Sequence, residues 1–342
     1  MMKMNKIRWC IIGAGGIADR RTIPAIMKDE GSELVAVMDR VPEVAKAIGE
    51  KYGVPYFSDA EEMLAAVESE AVYIATPVFC HKEQALLALK YTRHTFIEKP
   101  VTIDAAEARE LTDAFKAAGK QLTVGYMMKY HNLHELAREL VAEGKIGKPV
   151  SVRARFAIWY PDIPGAWRQN KALGGGGSFM DLGVHCAELI EYILDDEIAD
   201  VKALCTTASF NYEVEDGASV IFKTKGGALG GIDANFNVPD AAGGTRLEIY
   251  GDEGYIIADG TLSQLEVGRL THLHAPQGGY SAMQDSAAAA PTEYLGGGKD
   301  LYEKQIKIFC DLVRSGKPDY FFADRAVHIQ ELVEAIYKDA EK

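Results

Sequence analysis

The chain has 342 residues, of which 48% are hydrophobic and 25% charged, a balance typical of a globular protein with enough apolar material for two domains. The net charge of −13, without a cluster of Lys and Arg, argues against nucleic acid or a membrane surface as a partner. No apolar run reaches the roughly 20 residues that span a bilayer, and no signal peptide is evident. The five cysteines lack a CxxC pair, so we expect a cytoplasmic protein with reduced thiols.

Strand-like and helix-like segments alternate over the first third of the chain. Apolar strand patterns occupy residues 6–12, 33–39, 72–75, 94–97 and 121–124, and helical patterns lie between them. This rhythm predicts an α/β domain with a doubly wound parallel sheet and right-handed crossovers. We place the end of this domain at residue 125.

A glycine-rich turn directly follows the first strand and matches the pattern GxGxxA. Gly13 permits the tight turn, Gly15 lets the backbone approach a pyrophosphate, and Ala18 allows close packing of the helix on the strand. A glycine turn alone is weak evidence, but its strand–turn–helix context predicts that this Rossmann-type domain binds a dinucleotide. The contacts expected from the turn are Gly13, Gly15, Gly16 and Ile17.

The second strand ends at an acidic residue, where the adenosine ribose of a bound dinucleotide is expected. The Asp39 carboxylate can accept hydrogen bonds from the ribose 2′-hydroxyl and would repel a 2′-phosphate, which favours NAD over NADP. Arg40 is compatible with stacking on adenine or with binding that phosphate. An ordinary strand-end role for Asp39 is the alternative.

Beyond Gly125 the pattern changes to helices followed by consecutive strands. Helices are predicted at 131–143 and near 179–194, and short turns such as 225–227 and 251–254 separate the strands. Consecutive strands with tight turns predict a large, mostly antiparallel sheet in a second, α+β domain spanning 126–342. The predicted strands are 148–160, 199–209, 217–224, 227–237, 245–250 and 254–258, followed by a long loop at 271–299 and helices at 300–314 and 324–341.

Four motifs in order along the chain carry a family signature: Ala75-Thr76-Pro77 with His81, then Glu98-Lys99-Pro100, Gly125-Tyr126, and Asp181-Leu182-Gly183-Val184-His185. They resemble the glucose–fructose oxidoreductase / inositol dehydrogenase / MocA (Gfo/Idh/MocA) family over nearly the whole chain. The resemblance implies a Rossmann domain followed by a larger antiparallel sheet with helices. It also implies pyridine-nucleotide-dependent oxidation or reduction of sugars, polyols and their relatives.

Three positions depart from the family pattern. Val78 stands where Asn is usual, and Thr92 where a turn glycine is usual. Glu188 replaces the last acid of the DxGxHxxD run, which keeps the charge and lengthens its reach. The first two departures concern the cofactor loop and a turn, and none removes the expected catalytic residues.

The expected catalytic residues are Lys99, Asp181 and His185. Asp181 and His185 are four residues apart and share a face if the segment is helical, so the acid can orient the imidazole that takes a hydroxyl proton. Lys99 ends a strand of the parallel sheet, where its ammonium can stabilise a developing alkoxide. Lys99 as the base is an alternative, as are a structural histidine and a solvated lysine.

Further site residues are assigned with less detail. Trp167 is compatible with stacking on a sugar ring and Arg168 with binding hydroxyls, and both are equally compatible with packing. His272 and His274 have no evident third ligand nearby, so no metal site is predicted. Additional expected cofactor contacts are Thr76, Pro77, His81, Glu98 and Lys99, and the expected substrate contacts are Tyr126, Tyr160, Trp167, Arg168 and His185.

Together these patterns predict an NAD(P)-dependent oxidoreductase, with NAD favoured over NADP, that moves a hydride between the nicotinamide and a sugar, polyol or inositol-like secondary alcohol or ketone. Two alternatives remain: a related enzyme that oxidises, eliminates and re-reduces while retaining NAD, and a non-catalytic nucleotide-sensing regulator. The presence of Lys99 and His185 speaks against the regulator. We also expect a homodimer or homotetramer through the open face of the second sheet, because runs such as 228–236 place apolar residues on both faces.

Overall fold

The computed structural model describes residues 6–280, 282, 290–298 and 300–342. The chain forms two compact units. The first unit contains Met1–Tyr126 and Tyr302–Glu331, and the second contains Met127–Leu301 and Leu332–Lys342. Tyr302–Glu331 therefore packs with the first unit, a difference from the sequence-based division, which groups all residues after 125 together.

The first unit contains a six-stranded sheet whose strands run in the order β3-β2-β1-β4-β5-β6. All neighbouring strands are parallel, and the central strands are buried on both faces, which confirms the predicted doubly wound Rossmann sheet. Only the two-residue β3 lacked a sequence signal. The strands are β1 (Ile7–Ile12), β2 (Ser32–Met38), β3 (Tyr56–Phe57), β4 (Ala71–Ile74), β5 (His94–Ile97) and β6 (Leu122–Val124). The helices are α1 (Ile23–Lys28), α2 (Pro42–Tyr52), α3 (Ala60–Ala66), α4 (His81–Lys90) and α5 (Ala105–Ala118), and the π-helical Ala18–Thr22 precedes α1.

The turn before β5 contains Thr92, one of the departures from the family pattern. Thr92 has a φ of 60°, in the left-handed region that glycine adopts without cost. For a residue with a side chain this conformation costs roughly 1–2 kcal/mol. Thr92 thus adopts a backbone conformation that glycine would adopt without this cost.

The second unit contains an eight-stranded sheet of order β14-β13-β12-β11-β7-β10-β9-β8. Every neighbouring pair is antiparallel except β7 and β10, which confirms the predicted mostly antiparallel sheet. The strands are β7 (Pro149–Ala157), β8 (Ile198–Thr206), β9 (Gly217–Thr224), β10 (Leu229–Asn235), β11 (Arg246–Gly251), β12 (Gly254–Asp259), β13 (Arg269–His274) and β14 (Thr292–Leu295). The helices are α6 (Asn132–Ala142), α7 (Lys171–Gly174), α8 (Val184–Leu194) and α9 (Asp240–Gly243).

The prediction of a continuous loop over 271–299 is wrong at both ends. β13 continues to His274, and β14 pairs with it so that Arg269 lies opposite Leu295 and His272 opposite Thr292. Cross-strand pairing stabilises these two short strands, and one strand's sequence alone carries little signal for it. Residues 281, 283–289 and 299 of the segment lie outside the described residues.

Two helices end the chain, α10 (Leu301–Ser315) and α11 (Phe321–Ala340). Phe309 of α10 explains why this segment packs with the first unit. Its ring lies 4.9 Å from the Trp9 ring and 5.6 Å from the Phe96 ring, between centroids, and all three side chains are buried. Burying these aromatic surfaces against β1 and β5 stabilises that arrangement. Among the described residues, no helix has the length and apolar character needed to cross a membrane.

Candidate active site

The glycine turn of the first unit packs against the ends of two strands. Gly13 has a φ of +84°, and a Cβ there would lie 2.8 Å from Thr76 Cγ2 and 2.9 Å from the Ala75 carbonyl carbon. The N–H groups of Gly13 and Ala14 both donate to the Met38 carbonyl, over 2.9 and 3.0 Å. Only glycine fits at Gly13, for reasons of both backbone conformation and space. The structure thus brings the turn and the predicted cofactor residue Thr76 together.

Asp39 lies beside the same turn. Its Oδ2 accepts the Gly15 N–H over 3.3 Å and its Oδ1 accepts the Val41 N–H over 3.0 Å, while Arg40 beside it is exposed. A Cβ at Gly16 would meet no atom within 4 Å. A close-packed glycine, an open glycine and an acid at the end of β2 are the features with which a Rossmann unit receives a dinucleotide. The residues present therefore fit that group.

His81 bridges two loops at the carboxyl ends of neighbouring strands. The ring is buried, with Nε2 2.9 Å from the Thr76 carbonyl oxygen and Nδ1 3.0 Å from that of Pro100. Thr76 also donates from its hydroxyl to Gln84 Oε1 over 2.6 Å. His81 therefore fixes the loop after β4 to the loop after β5. Motif spacing predicted a cofactor residue here but not this bridge.

Glu98 and Lys99 follow β5 directly, and both are half-buried. Tyr73 donates to Glu98 Oε1 over 2.5 Å and accepts the Thr22 hydroxyl over 2.9 Å. Burial raises the pKa of Tyr73 well above its ordinary value, and the Glu98 carboxylate adds to that rise. A Cβ at Gly125 would lie 3.3 Å from Glu98 Oε1, so the glycine of the third motif leaves room for this carboxylate. Tyr73 of β4 thereby bonds Glu98, and Thr22 of the first helical segment in turn bonds the Tyr73 hydroxyl.

Asp181 and His185 lie on one helical segment of the second unit. Asp181 belongs to a π-helical turn, Phe179–Gly183, and His185 to the first turn of α8. The sequence argument assumed α-helical spacing between them, so the π-turn is a correction to that local geometry. Such turns are frequent at functional sites. His185 is 4% exposed and the Asp181 side chain 22%.

Four predicted substrate or catalytic residues of the second unit lie together. Arg168 Nε is 3.5 Å from Asp181 Oδ1, and its guanidinium carbon is 4.3 Å from the centre of the Trp167 ring. Burial raises the pKa of the Tyr160 phenol, while Arg168 opposes the rise and Asp181 adds to it. Tyr160, Arg168 and Asp181 thus form a polar cluster, named here the Asp181 cluster, with Trp167 stacked on its arginine.

Sequence reasoning missed a buried ion pair of Glu188, which lies about one helical turn beyond His185. Lys129 Nζ lies 2.6 Å from Glu188 Oε1, and the two side chains are 2% and 3% exposed. Glu188 is three residues beyond His185 on the same helix. The departure from the family's shorter acid was its only sequence signal, because the partner lies 59 residues away.

Tyr126 is a further predicted substrate contact, and His272 and His274 are the histidines for which the sequence predicts no metal site. Tyr126 is 2% exposed, at the end of the first unit. A ring nitrogen of His272 and one of His274 each lie 3.1 Å from the Lys145 carbonyl oxygen. Within residues 6–280, 282, 290–298 and 300–342, no group of three or more His, Cys, Asp or Glu side chains is arranged to hold a metal ion.

Comparison with known proteins gives matches to both units. The model of an oxidoreductase family with an NAD-binding Rossmann fold (GFO/IDH/MocA) matches residues 7–126, and the model of the GFO/IDH/MocA C-terminal domain matches 134–257. The 1,5-anhydro-D-fructose reductase of Ensifer adhaerens is 31% identical over 266 residues, 77% of this chain and 79% of the reductase. The D-xylose 1-dehydrogenase (NADP(+)) 2 of Haloferax volcanii is 27% identical over 341 residues, 97% of this chain and 96% of that enzyme.

A solved structure extends the similarity to the whole fold. GenD2 from gentamicin A biosynthesis, in complex with NAD, superposes with a TM-score of 0.84 at 26% identity, covering 99% of this chain and 96% of that one. The two family models, the reductase and the two sheets agree with one another and with the motif order. This chain belongs to the Gfo/Idh/MocA family of NAD(P)-binding oxidoreductases, in which its relatives are dehydrogenases and reductases of sugars and related alcohols.

Proposed function

We propose that this chain is an NAD-dependent dehydrogenase that transfers a hydride between the nicotinamide and a secondary alcohol or ketone of a sugar, polyol or inositol. The observation that carries the proposal is the Asp181 cluster, whose carboxylate belongs to the helical segment that leads to His185. A guanidinium, a phenol and a carboxylate supply both donors and acceptors, as a polyhydroxylated substrate requires. The chain's membership in a family of NAD(P)-binding oxidoreductases supports hydride transfer as the reaction.

The first unit holds the cofactor in this proposal. Gly13, Gly15 and Gly16 leave the backbone accessible to the pyrophosphate, and Asp39 accepts the ribose hydroxyls. Bound NAD supplies the hydride acceptor or donor. The cofactor contacts proposed besides these are Ile17, Arg40, Thr76, Pro77, His81, Glu98 and Lys99.

The second unit holds the substrate and moves the proton. In oxidation, a ring nitrogen of His185 takes the hydroxyl proton as the hydride leaves the carbon, and Asp181 orients the imidazole and stabilises its charged form. Lys99 Nζ donates to the same oxygen and stabilises its developing charge. Tyr160 and Arg168 bind neighbouring hydroxyls, Trp167 holds Arg168 by stacking, and Tyr126 completes the proposed substrate contacts.

A panel assay tests the proposed reaction. D-Xylose, D-glucose and myo-inositol are offered with NAD and NADP, 1,5-anhydro-D-fructose is offered with the reduced cofactors, and the nicotinamide absorbance is followed. We expect stoichiometric absorbance change with at least one class of these compounds. Sugar conversion without net absorbance change, by protein that retains NAD through dialysis, would instead favour the oxidation–elimination–reduction alternative. Cofactor binding without turnover of any sugar, polyol or inositol would contradict both enzyme proposals.

Cofactor preference gives a first prediction at Asp39. We expect NAD to bind more tightly than NADP, because the carboxylate beside the Gly15 N–H repels a 2′-phosphate. Asp39→Ala should narrow the difference between the two dissociation constants, measured by fluorescence titration. Glu43→Ala is the matched control, since it removes an exposed acid four residues away at the start of α2. Tighter binding of NADP by the unaltered protein would show that Arg40 dominates.

Assembly gives a second prediction at the open face of the large sheet. Leu204, Ile221, Leu229 and Leu295 are 78%, 57%, 62% and 71% exposed, and the strand register places them on one face. Ile232 of β10 faces the buried side. We propose that a second copy of the chain covers the exposed face, forming a dimer or tetramer.

Light scattering tests this assembly. The unaltered protein should have the mass of a dimer or tetramer at micromolar concentration, and Ile221→Lys should shift the mass towards the monomer. Met27→Lys, at an exposed methionine of the first unit, is the control and should leave the mass unchanged. A monomer at micromolar concentration would contradict the proposal.

A further inference from the structure

The helical segment that carries Asp181 and His185 begins with four backbone N–H groups that no helical carbonyl can accept. Three of the four donate to one residue, Glu215. Its Oε2 accepts the Gly177 N–H over 2.9 Å, its Oε1 accepts the Phe179 N–H over 2.9 Å, and its backbone carbonyl accepts the Ser178 N–H over 3.0 Å. One residue, 38 positions from Gly177 along the chain, therefore caps almost the whole N-terminus of this segment.

Tyr337 completes the cap. Its hydroxyl accepts the fourth N–H, from Met180, over 3.2 Å and donates to Glu215 Oε1 over 2.8 Å. The first hydrogen bond within the helix follows immediately, from the Asp181 N–H to the Gly177 carbonyl over 3.0 Å. The Asp181 carboxylate thus belongs to the first residue whose N–H is bonded within the helix, directly after the capped turn.

Two glycines, Gly176 and Gly177, allow the capping residues to approach the start of this segment closely. A Cβ at Gly176 would lie 2.1 Å from the Tyr337 hydroxyl oxygen, and a Cβ at Gly177 would lie 2.0 Å from the Glu215 carbonyl oxygen. Real Cβ atoms do not come that close to other atoms, so a side chain at either position would displace the capping residues. The two glycines thus leave the space that the capping residues occupy.

The chemistry of the cap requires a carboxylate. Both oxygens of Glu215 receive N–H donors, and the side chain is buried, at 9% exposure. Burial raises the pKa of this carboxyl, while the hydrogen bonds from Phe179, Tyr337 and Gly177 oppose the rise. A negative charge at a helix N-terminus also interacts favourably with the helix dipole. Glutamine would turn an N–H₂ group towards a backbone N–H and leave that donor buried without an acceptor.

We propose that Glu215 is a positioning residue for the proposed proton transfer, and that with Tyr337 it fixes the helical turn from which Asp181 and His185 act. This inference rests on the proposed function of that pair. Loosening the cap moves Asp181 relative to Arg168. It also changes the proposed interaction between the Asp181 carboxylate and the His185 ring. Displacement of reacting groups by about 1 Å can cost about 10²-fold in rate.

Steady-state kinetics of the NAD-saturated enzyme, with the best compound of the panel, test the proposal. Glu215→Gln should lower kcat by about 10²-fold with little change in KM, and should shift the limb of the kcat–pH profile that reports the base. Tyr337→Phe removes the acceptor of the Met180 N–H and one donor to Glu215, and should lower kcat by less than about tenfold. Glu191→Gln is the matched control, because Glu191 is a buried acid of the same α8 that accepts the Ile198 N–H over 2.9 Å, two turns beyond the proposed pair.

A second readout needs neither substrate nor cofactor. The titration of the His185 ring, followed by NMR in the unliganded protein, should shift in Glu215→Gln and in Tyr337→Phe but not in Glu191→Gln. If Glu215→Gln does not fold, the kcat–pH profile and the ring titration of Tyr337→Phe decide the question. The proposal is overturned if the folded variants have the kcat–pH profile and the His185 ring titration of the parent. It is also overturned if Glu215→Gln and Glu191→Gln lose activity equally and in proportion to the fraction of protein that is unfolded.

The two levels of proposal fail in different ways. If His185→Ala abolishes turnover while Glu215→Gln behaves as the parent, the cap has no positioning role and the proposed function stands. If His185→Ala retains normal turnover, the proposed function of the pair is wrong and the inference about Glu215 falls with it.

Discussion

His185→Ala is expected to lower kcat by about 10²–10⁴-fold while NAD still binds with its parental affinity. Removing a positioned proton-transfer group typically costs this much in rate, or about 2.7–5.4 kcal/mol at 1.36 kcal/mol per tenfold change. NAD affinity should be unchanged because the glycine turn and Asp39 belong to the first unit, whereas His185 belongs to the second. Rapid-quench or steady-state kinetics measure the first quantity and fluorescence titration the second.

The controls for this variant separate chemistry from folding. His185 is buried, so thermal unfolding of His185→Ala must show that the variant is folded at the assay temperature. His274→Ala removes an exposed histidine bonded to the Lys145 carbonyl and should retain parental turnover. Asp181→Asn should cost less than His185→Ala, because the amide keeps much of the shape while losing the charge. Near-normal turnover of His185→Ala across the pH range would mean that Lys99 is the base.

Lys99→Ala is expected to lower kcat by about 10²–10³-fold, again with NAD binding retained. The loss follows from removing the cationic donor that we propose stabilises the oxygen where negative charge develops, a contribution of that size in other enzymes. Steady-state kinetics with the best compound of the panel measure it. Lys90→Ala is the control, because Lys90 is a lysine of the same unit whose ion pair with Glu61 is solvent-exposed.

Lys99→Arg distinguishes the two roles open to this lysine. Arginine stays charged at all accessible pH values, so it can replace an electrostatic donor in part but cannot act as a base. Partial activity of Lys99→Arg together with an inactive His185→Ala would support the assignment of His185 as the base. Turnover of Lys99→Ala within threefold of the parent, with an unchanged pH profile, would remove Lys99 from the proposed mechanism.

The parallel sheet of the first unit could be predicted in detail because its signals are local. β1 and β4 are continuous apolar runs flanked by turns, and such runs form the buried strands of parallel sheets. The position of Asp39 at the end of β2 predicts an acid near the adenosine ribose of a bound dinucleotide. In the structure its carboxylate accepts the N–H of Gly15 in the glycine turn. The two-residue β3 escaped prediction because it is too short to show a period.

Other features depend on partners that are distant in sequence. The packing of Tyr302–Glu331 with the first unit comes from aromatic contacts such as Phe309 with Trp9, across about 300 residues of chain. The pairing of β13 with β14 likewise depends on two short strands that meet across a connecting segment. Amphipathic patterns show that these elements exist, but not which surface each will cover.

By itself, the sequence determined the two sheets, the order of the family motifs and the residue types at the candidate site, because strand and helix periods and glycine conformations are properties of short segments. The tertiary structure alone decided which side chains hold the segment of Asp181 and His185. The cap by Glu215 spans 38 residues, that by Tyr337 spans 157, and the Lys129–Glu188 pair spans 59. Hydrogen bonds and ion pairs over such separations form only when folding buries both partners together, so no local pattern reveals them.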